Sequence, residues 1–175
     1  MTDSAKRYLW GLSLRDAVIL ALIAAATSGA KLILKFPLRV PGHFNLVWMS
    51  FLILGCALVP RRGAGTVLGV LTGVLAFLFG FGHEGLLGFL KWLSVGLSLE
   101  AFQALIPAFS QRWYAAAGAG GVAAVVKTVL SLALFVVFGF TGKAVETAGA
   151  VALALNFAFG AAGGLIGWGV WRRII

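Results

Sequence analysis

The sequence predicts an all-α integral membrane protein, a bundle of six transmembrane helices in one domain spanning residues 1–175, with both termini in the cytoplasm. Three observations lead there. The 175 residues are 61% hydrophobic and 11% charged, whereas soluble domains are about 45–50% apolar and about 25% charged. The apolar residues form long continuous runs rich in Ala and Leu, without the alternation of a membrane strand. A span takes roughly 20 residues, so these runs fill the chain and leave no room for a soluble catalytic or nucleotide-binding domain.

The first span covers residues 14–34. Ser13 precedes it and Asp16 follows three residues later, a capping-box spacing that satisfies the free amides of a helix start. No polar cleavage region follows, so we do not read it as a signal peptide. The second span, 44–59, is short and ends at Pro60-Arg61-Arg62. The third, 63–81, stops near Gly82-His83-Glu84, and the fourth, 86–109, carries Lys91 and Glu100. The fifth, 114–140, contains Lys127, and the sixth, 147–171, contains Asn156.

With these spans the charges sort by side. Lys6, Arg7, Arg15, Arg61, Arg62, Arg112, Arg172 and Arg173 fall on the side of the termini, while Lys31, Lys35, Arg39 and Lys143 fall opposite, with Glu84 and Glu146. Positive-inside bias then places both termini in the cytoplasm of a multi-pass inner-membrane protein, and Trp10, Trp48, Trp113 and Trp171 lie near span ends where indoles anchor. The net charge of +9 is thus a topology signal. Its carriers are scattered between apolar runs, whereas a nucleic-acid partner requires one continuous basic surface. Cys56 lies in an apolar run and reads as a small buried hydrophobe.

In lipid, helices associate through small residues that let backbones approach. Gly65, Gly69 and Gly73 form a stripe on the third span, and Gly160 and Gly164, with Gly163 and Gly167 beside them, form another on the sixth. Both read as contacts within the bundle. The first span instead carries Ala17, Ala21 and Ala25 on one face, with Ala26 and Ala30 slightly rotated. That stripe fits either internal packing or docking of a separate membrane subunit.

An ionisable group near mid-bilayer costs about 2.5–3.5 kcal/mol on the insertion scale, so Lys91, Glu100 and Lys127 each need a reason. Glu100 and Lys127 fall at comparable depths and fit a structural ion pair. Lys91 reads either as a snorkelling residue or, with Lys127 and Asn156, as part of the lining of an outward-open pocket. Glu100, nine residues from Lys91, lies on the opposite face of its helix. The Pro-containing loop after the first span offers Phe36, His43 and Asn45 as a lid.

Neither a phosphate loop, nor H-E-x-x-H, nor G-x-S-x-G occurs. One Cys and two His in separate regions give no metal cluster. We therefore expect no enzymatic activity and no cofactor.

The six spans, the alanine stripe on the first, the Pro-containing loop after it and the Arg61-Arg62-Gly63-Ala64-Gly65 turn leading into Gly69 and Gly73 together resemble the S components of energy-coupling-factor transporters. The resemblance implies a non-enzymatic subunit of an ABC importer that binds a vitamin or related organic micronutrient from outside. It implies docking onto a transmembrane coupling protein with two ATPases that power release inside. The family's docking motif maps onto Ala21 and Ala25, extended by Ala17, Ala26 and Ala30. Its pocket, between the first loop and helices 4 to 6, maps onto Lys91, Trp92, Lys127 and Asn156 with Phe36, His43 and Asn45. Nickel and cobalt members carry a histidine after the initiator methionine, and this chain begins Met1-Thr2-Asp3, which favours an organic substrate. Buried lysines suit a carboxylate or phosphate, while Glu100 suits an amino-substituted heterocycle such as a thiamine precursor. The alternatives from other classes are a small structural subunit of a rod-shape complex, with Glu100 and Lys127 paired and no pocket, and a free-standing carrier with Glu100 coupling a proton.

Overall fold

The structure, a computed structural model, describes residues 11–33, 42–80, 86–137 and 143–174. They form six α-helices: α1 Leu14–Ile33, α2 Phe44–Leu58, α3 Ala64–Leu78, α4 Leu86–Leu105, α5 Trp113–Val137 and α6 Lys143–Ile174. No strand occurs among the described residues.

Local chemistry fixes the helix ends. The Ser13 amide donates to Asp16 Oδ2 at 2.8 Å and the Asp16 amide donates to Ser13 Oγ at 3.2 Å, the reciprocal capping box expected at the start of α1. Arg61 locks this end, pairing with Asp16 at 2.8 Å and donating to the Gly11 carbonyl at 3.2 Å. Helix α4 ends at Leu105, earlier than the sequence suggested, because Pro107 follows and Ala108 takes a left-handed conformation (φ 57°). A single 3-10 turn, Phe109–Gln111, then leads into α5.

By length and composition two segments are able to cross a membrane: Trp113–Leu134 in α5 and Gly149–Ile174 in α6, each with a mean hydropathy of 1.7. Helices α2 and α3 are apolar but have 15 residues each, about 22 Å of rise.

The helices pack in the cyclic order α1, α3, α4, α5, α6, α2, and α2 also touches α3 and α5. Leu20, Met49, Leu52, Ile53, Leu68, Val95, Leu99 and Phe109 are fully buried between them. We call the end where α1, α3 and α5 begin the basal end, and the end where α2, α4 and α6 begin the distal end.

Glycine contacts set the closest approaches. A Cβ at Gly65 would lie 2.8 Å from the Glu100 amide nitrogen, and one at Gly69 would lie 2.7 Å from Gly96 Cα. In the other pair of seams, a Cβ at Gly160 or Gly164 would strike the carbonyls of Gly120 or Ala116, and one at Gly163 or Gly167 those of Leu46 or Ser50. The two stripes of α6 therefore serve different neighbours, α5 and α2. Such backbone proximity is how helices gain dispersion contact where no hydrophobic effect drives them together.

Candidate functional site: a lysine held by two amides and two indoles

Three polar side chains from three helices meet inside this apolar bundle. Lys127, fifteenth in α5, is half-buried and donates from Nζ to Asn45 Oδ1 at 2.6 Å. Asn45, at the start of α2 and 1% exposed, donates from Nδ2 to Asn156 Oδ1. Asn156, on α6 and 8% exposed, donates from Nδ2 to the Ala152 carbonyl one turn back, at 2.7 Å. The amides are thereby satisfied in a setting where an unsatisfied one would cost about 1–3 kcal/mol.

Two tryptophans complete the enclosure. Lys127 Nζ lies 4.3 Å from the centroid of the Trp48 ring and 5.1 Å from that of Trp92, and the two indoles meet edge to face at 4.9 Å. Both distances lie within cation–π range. Phe44 stacks on Trp48 at 5.7 Å and His43 tilts against Phe44 at 4.3 Å, extending an aromatic tier along the start of α2.

Gly42, two residues before α2, lies close to Asn156. Its φ of 86° is a left-handed value that side chains disfavour, and a Cβ there would lie 2.7 Å from Asn156 Oδ1. Gly42 thus lies directly against Asn156.

Of the residues singled out from sequence, Trp92, Lys127, Asn156, His43 and Asn45 fall in this one region. Phe36 lies outside the described residues. Lys91 is half-buried on α4, next to Trp92 in the sequence. Ser94 and Ser98, three and seven residues on, turn their hydroxyls onto the carbonyls of Lys91 and Ser94 at 2.8 Å.

Glu100 is elsewhere. Its Oε1 accepts the Gly63 amide at 2.7 Å at the basal end, tying the start of α3 to α4. Gly63 has φ 92°, so glycine serves the turn there. A cavity of about 340 Å³ lined by Arg62, Gly63, Thr66 and Glu100 opens beside it. Asn45 and Gly63 flank opposite ends of α2, whose rise is about 22 Å. The expected pairing of Glu100 with Lys127 is therefore replaced by two separate sets of partners.

The alanine stripe divides too. Ala17, Ala21 and Ala25 are exposed and Ala26 and Ala30 half-buried, whereas Leu20, Ala24, Thr27 and Ser28 turn inward and are buried. Internal packing of α1 thus uses the adjoining face, which carries Leu20, Ala24, Thr27 and Ser28. Leu14, Val18 and Leu22, 70%, 51% and 66% exposed, flank these alanines.

Sequence reasoning missed Trp48, taken for a span-end anchor, and Phe44. The available signal was spacing: Trp48 follows Asn45 by three residues and so shares its helix face.

No protein family, curated protein or solved structure matches the chain.

Proposed function

We propose that the chain is the substrate-binding S component of an energy-coupling-factor importer for a vitamin or related organic micronutrient, embedded by six spans with both termini in the cytoplasm. The observation that carries this reading is the Lys127–Asn45–Asn156 chain beneath Trp48 and Trp92. A purely structural bundle gains little from a lysine, two amides and two indoles in one place. A binding pocket needs this composition, apolar walls with a few convergent polar groups.

The exposed small-residue face of α1 supports the second half of the proposal. Ala17, Ala21 and Ala25, flanked by exposed Leu14, Val18 and Leu22, give a partner helix a flat strip for close approach. In this reading the partner is a transmembrane coupling protein carrying two ABC ATPases.

Co-expression tests the assignment. The chain should co-purify with a coupling protein and its ATPases from membranes of the same cell, and Ala25→Trp should release it. A chain that purifies without any such partner, under conditions that preserve a known complex of this class, contradicts the proposal.

A further inference from the structure

At the basal end, the mouth of the seam between α1 and α2 is a cavity of about 720 Å³ lined by Ser13, Arg15, Asp16, Ile19, Leu58 and Arg61. Small-molecule sites enclose about 300–1,000 Å³, so a ligand group fits. The cavity is separate from the Lys127 site, which lies toward the other end of α2.

Its lining is of two kinds. At the basal rim stand two guanidiniums. Arg61 uses Nη1 for Asp16 and the Gly11 carbonyl, which leaves the N–H groups of Nη2 and Nε as donors. Arg15 is exposed and donates no hydrogen bond among the described residues. Ser13 Oγ accepts the Asp16 amide and keeps its own hydroxyl proton to donate. Asp16 is the one acid of the lining among the described residues, and it is already held by Arg61 and the Ser13 amide. The ten residues before Gly11 bring two bases against one acid.

Deeper in, the lining is apolar, with Ile19 and Leu58 half-buried. One turn above Ile19 the seam closes, since a Cβ on Gly55 would lie 3.1 Å from Ile23 Cγ2. Arg15, Ile19, Leu22 and Ala26 follow one another at i, i+4, i+7 and i+11, a single stripe along α1. Leu22 on that stripe is 66% exposed. The charged rim therefore passes directly into an apolar track on the outside of the helix. A soluble anion would use the arginines and leave Ile19 and Leu58 wetted, and a hydrocarbon chain alone would leave the arginines unused. An amphiphile with an anionic head uses both.

Resting on the membrane embedding of the bundle and not on its substrate, we propose that this cavity binds an anionic phospholipid of the leaflet at the basal end. The phosphodiester oxygens accept hydrogen bonds from Arg15, from the remaining N–H groups of Arg61 and from the Ser13 hydroxyl. A planar guanidinium fork matches two phosphate oxygens at once. One acyl chain lies along Ile19 and Leu22. A zwitterionic headgroup sets its own cation against the arginines and is held less tightly.

Native mass spectrometry of the full-length protein, released from nanodiscs of equal phosphatidylglycerol and phosphatidylcholine, counts the lipids it retains. Phosphatidylglycerol should be retained about tenfold over phosphatidylcholine, the scale of one charge-assisted hydrogen bond. Arg15→Gln, which leaves the Arg61–Asp16 pair and the capping box in place, should reduce this preference severalfold. Arg15→Gln combined with Arg61→Gln should abolish it. Arg173→Gln, at an exposed arginine outside the cavity, should leave it unchanged. Glycerol 3-phosphate, the head without the chains, should not compete. Circular dichroism verifies that each variant is folded. Equal retention of the two lipids, or a preference unchanged in Arg15→Gln, overturns the proposal. A loss as great in Arg173→Gln as in Arg15→Gln also overturns it, in favour of a diffuse basic surface. Displacement of the lipid by glycerol 3-phosphate assigns the arginines to a soluble phosphate compound instead. Protein that does not enter the nanodiscs overturns the embedding on which the proposal rests.

Discussion

Replacing Gly96 by alanine tests the packing of the bundle at the seam between α3 and α4. A Cβ there would lie 2.7 Å from Gly69 Cα, 2.7 Å from the Gly65 carbonyl oxygen and 3.0 Å from the Gly69 nitrogen. All three are backbone atoms of α3, so no side-chain rotation relieves the contact. Carbon atoms rest at about 3.5–4.0 Å, so α3 and α4 must separate by about 1 Å. Overpacking of this kind costs about 1–3 kcal/mol, offset by the roughly 0.5–1 kcal/mol that alanine gains over glycine within a helix. The net expectation is a loss of about 1–2 kcal/mol. Gly88, on the same helix, supplies the control, because a Cβ there meets nothing within 4 Å. Gly88→Ala should be neutral or stabilising by up to about 1 kcal/mol. Unfolding in mixed detergent–SDS micelles, followed by circular dichroism, measures both. Equal stability of the two variants would refute the claim that α3 and α4 are held through this glycine contact.

Other substitutions report on other parts of the account. Ser13→Ala removes one half of the capping box and should cost about 1 kcal/mol in the same unfolding assay, whereas Arg61→Ala, with a side chain 53% exposed, should cost less than about 1 kcal/mol. Asn156→Ala strands the Asn45 Nδ2 donor and should cost about 1–3 kcal/mol of stability, together with weaker ligand binding by fluorescence titration. Ala21→Trp and Ala25→Trp should abolish ATP-dependent uptake in reconstituted vesicles while leaving ligand affinity of the isolated subunit unchanged. Loss of affinity would instead mean that the outer face of α1 supports the pocket.

The helices were legible in the sequence because lipid-compatible runs are continuous and their interruptions chemical. Ser13 and Asp16 marked the start of α1, and Pro60-Arg61-Arg62 marked the stop of α2. The α4 boundary was read four residues too long, because the apolar run from Leu105 to Phe109 continues past Pro107, which with the left-handed turn at Ala108 ends the helix. Glycine spacing announced close packing but not which helix each stripe would meet.

The site was legible as a set of costly residues, not as a geometry. Lys127, Asn156 and Glu100 each stand out as polar groups in apolar runs, and depth along the chain placed Glu100 and Lys127 together. Depth says nothing of azimuth or of local partners: Gly63 offers Glu100 a backbone amide at the basal end, and Asn45 offers Lys127 a carboxamide. The alanine stripe illustrates the same limit. Spacing put Ala17, Ala21 and Ala25 on one face, and only the neighbours of α1 reveal that this face is exposed while Leu20 and Ala24 are buried.

The central claim is that this small bundle holds a micronutrient. Native mass spectrometry of the protein purified from its own membranes, with extraction and identification of whatever small molecule it retains, tests that claim most directly. The account predicts one organic compound in near-stoichiometric amount, displaced when Lys127 is replaced by methionine. Protein that carries only lipid and detergent, and that takes up no vitamin-class compound when one is supplied, would contradict it.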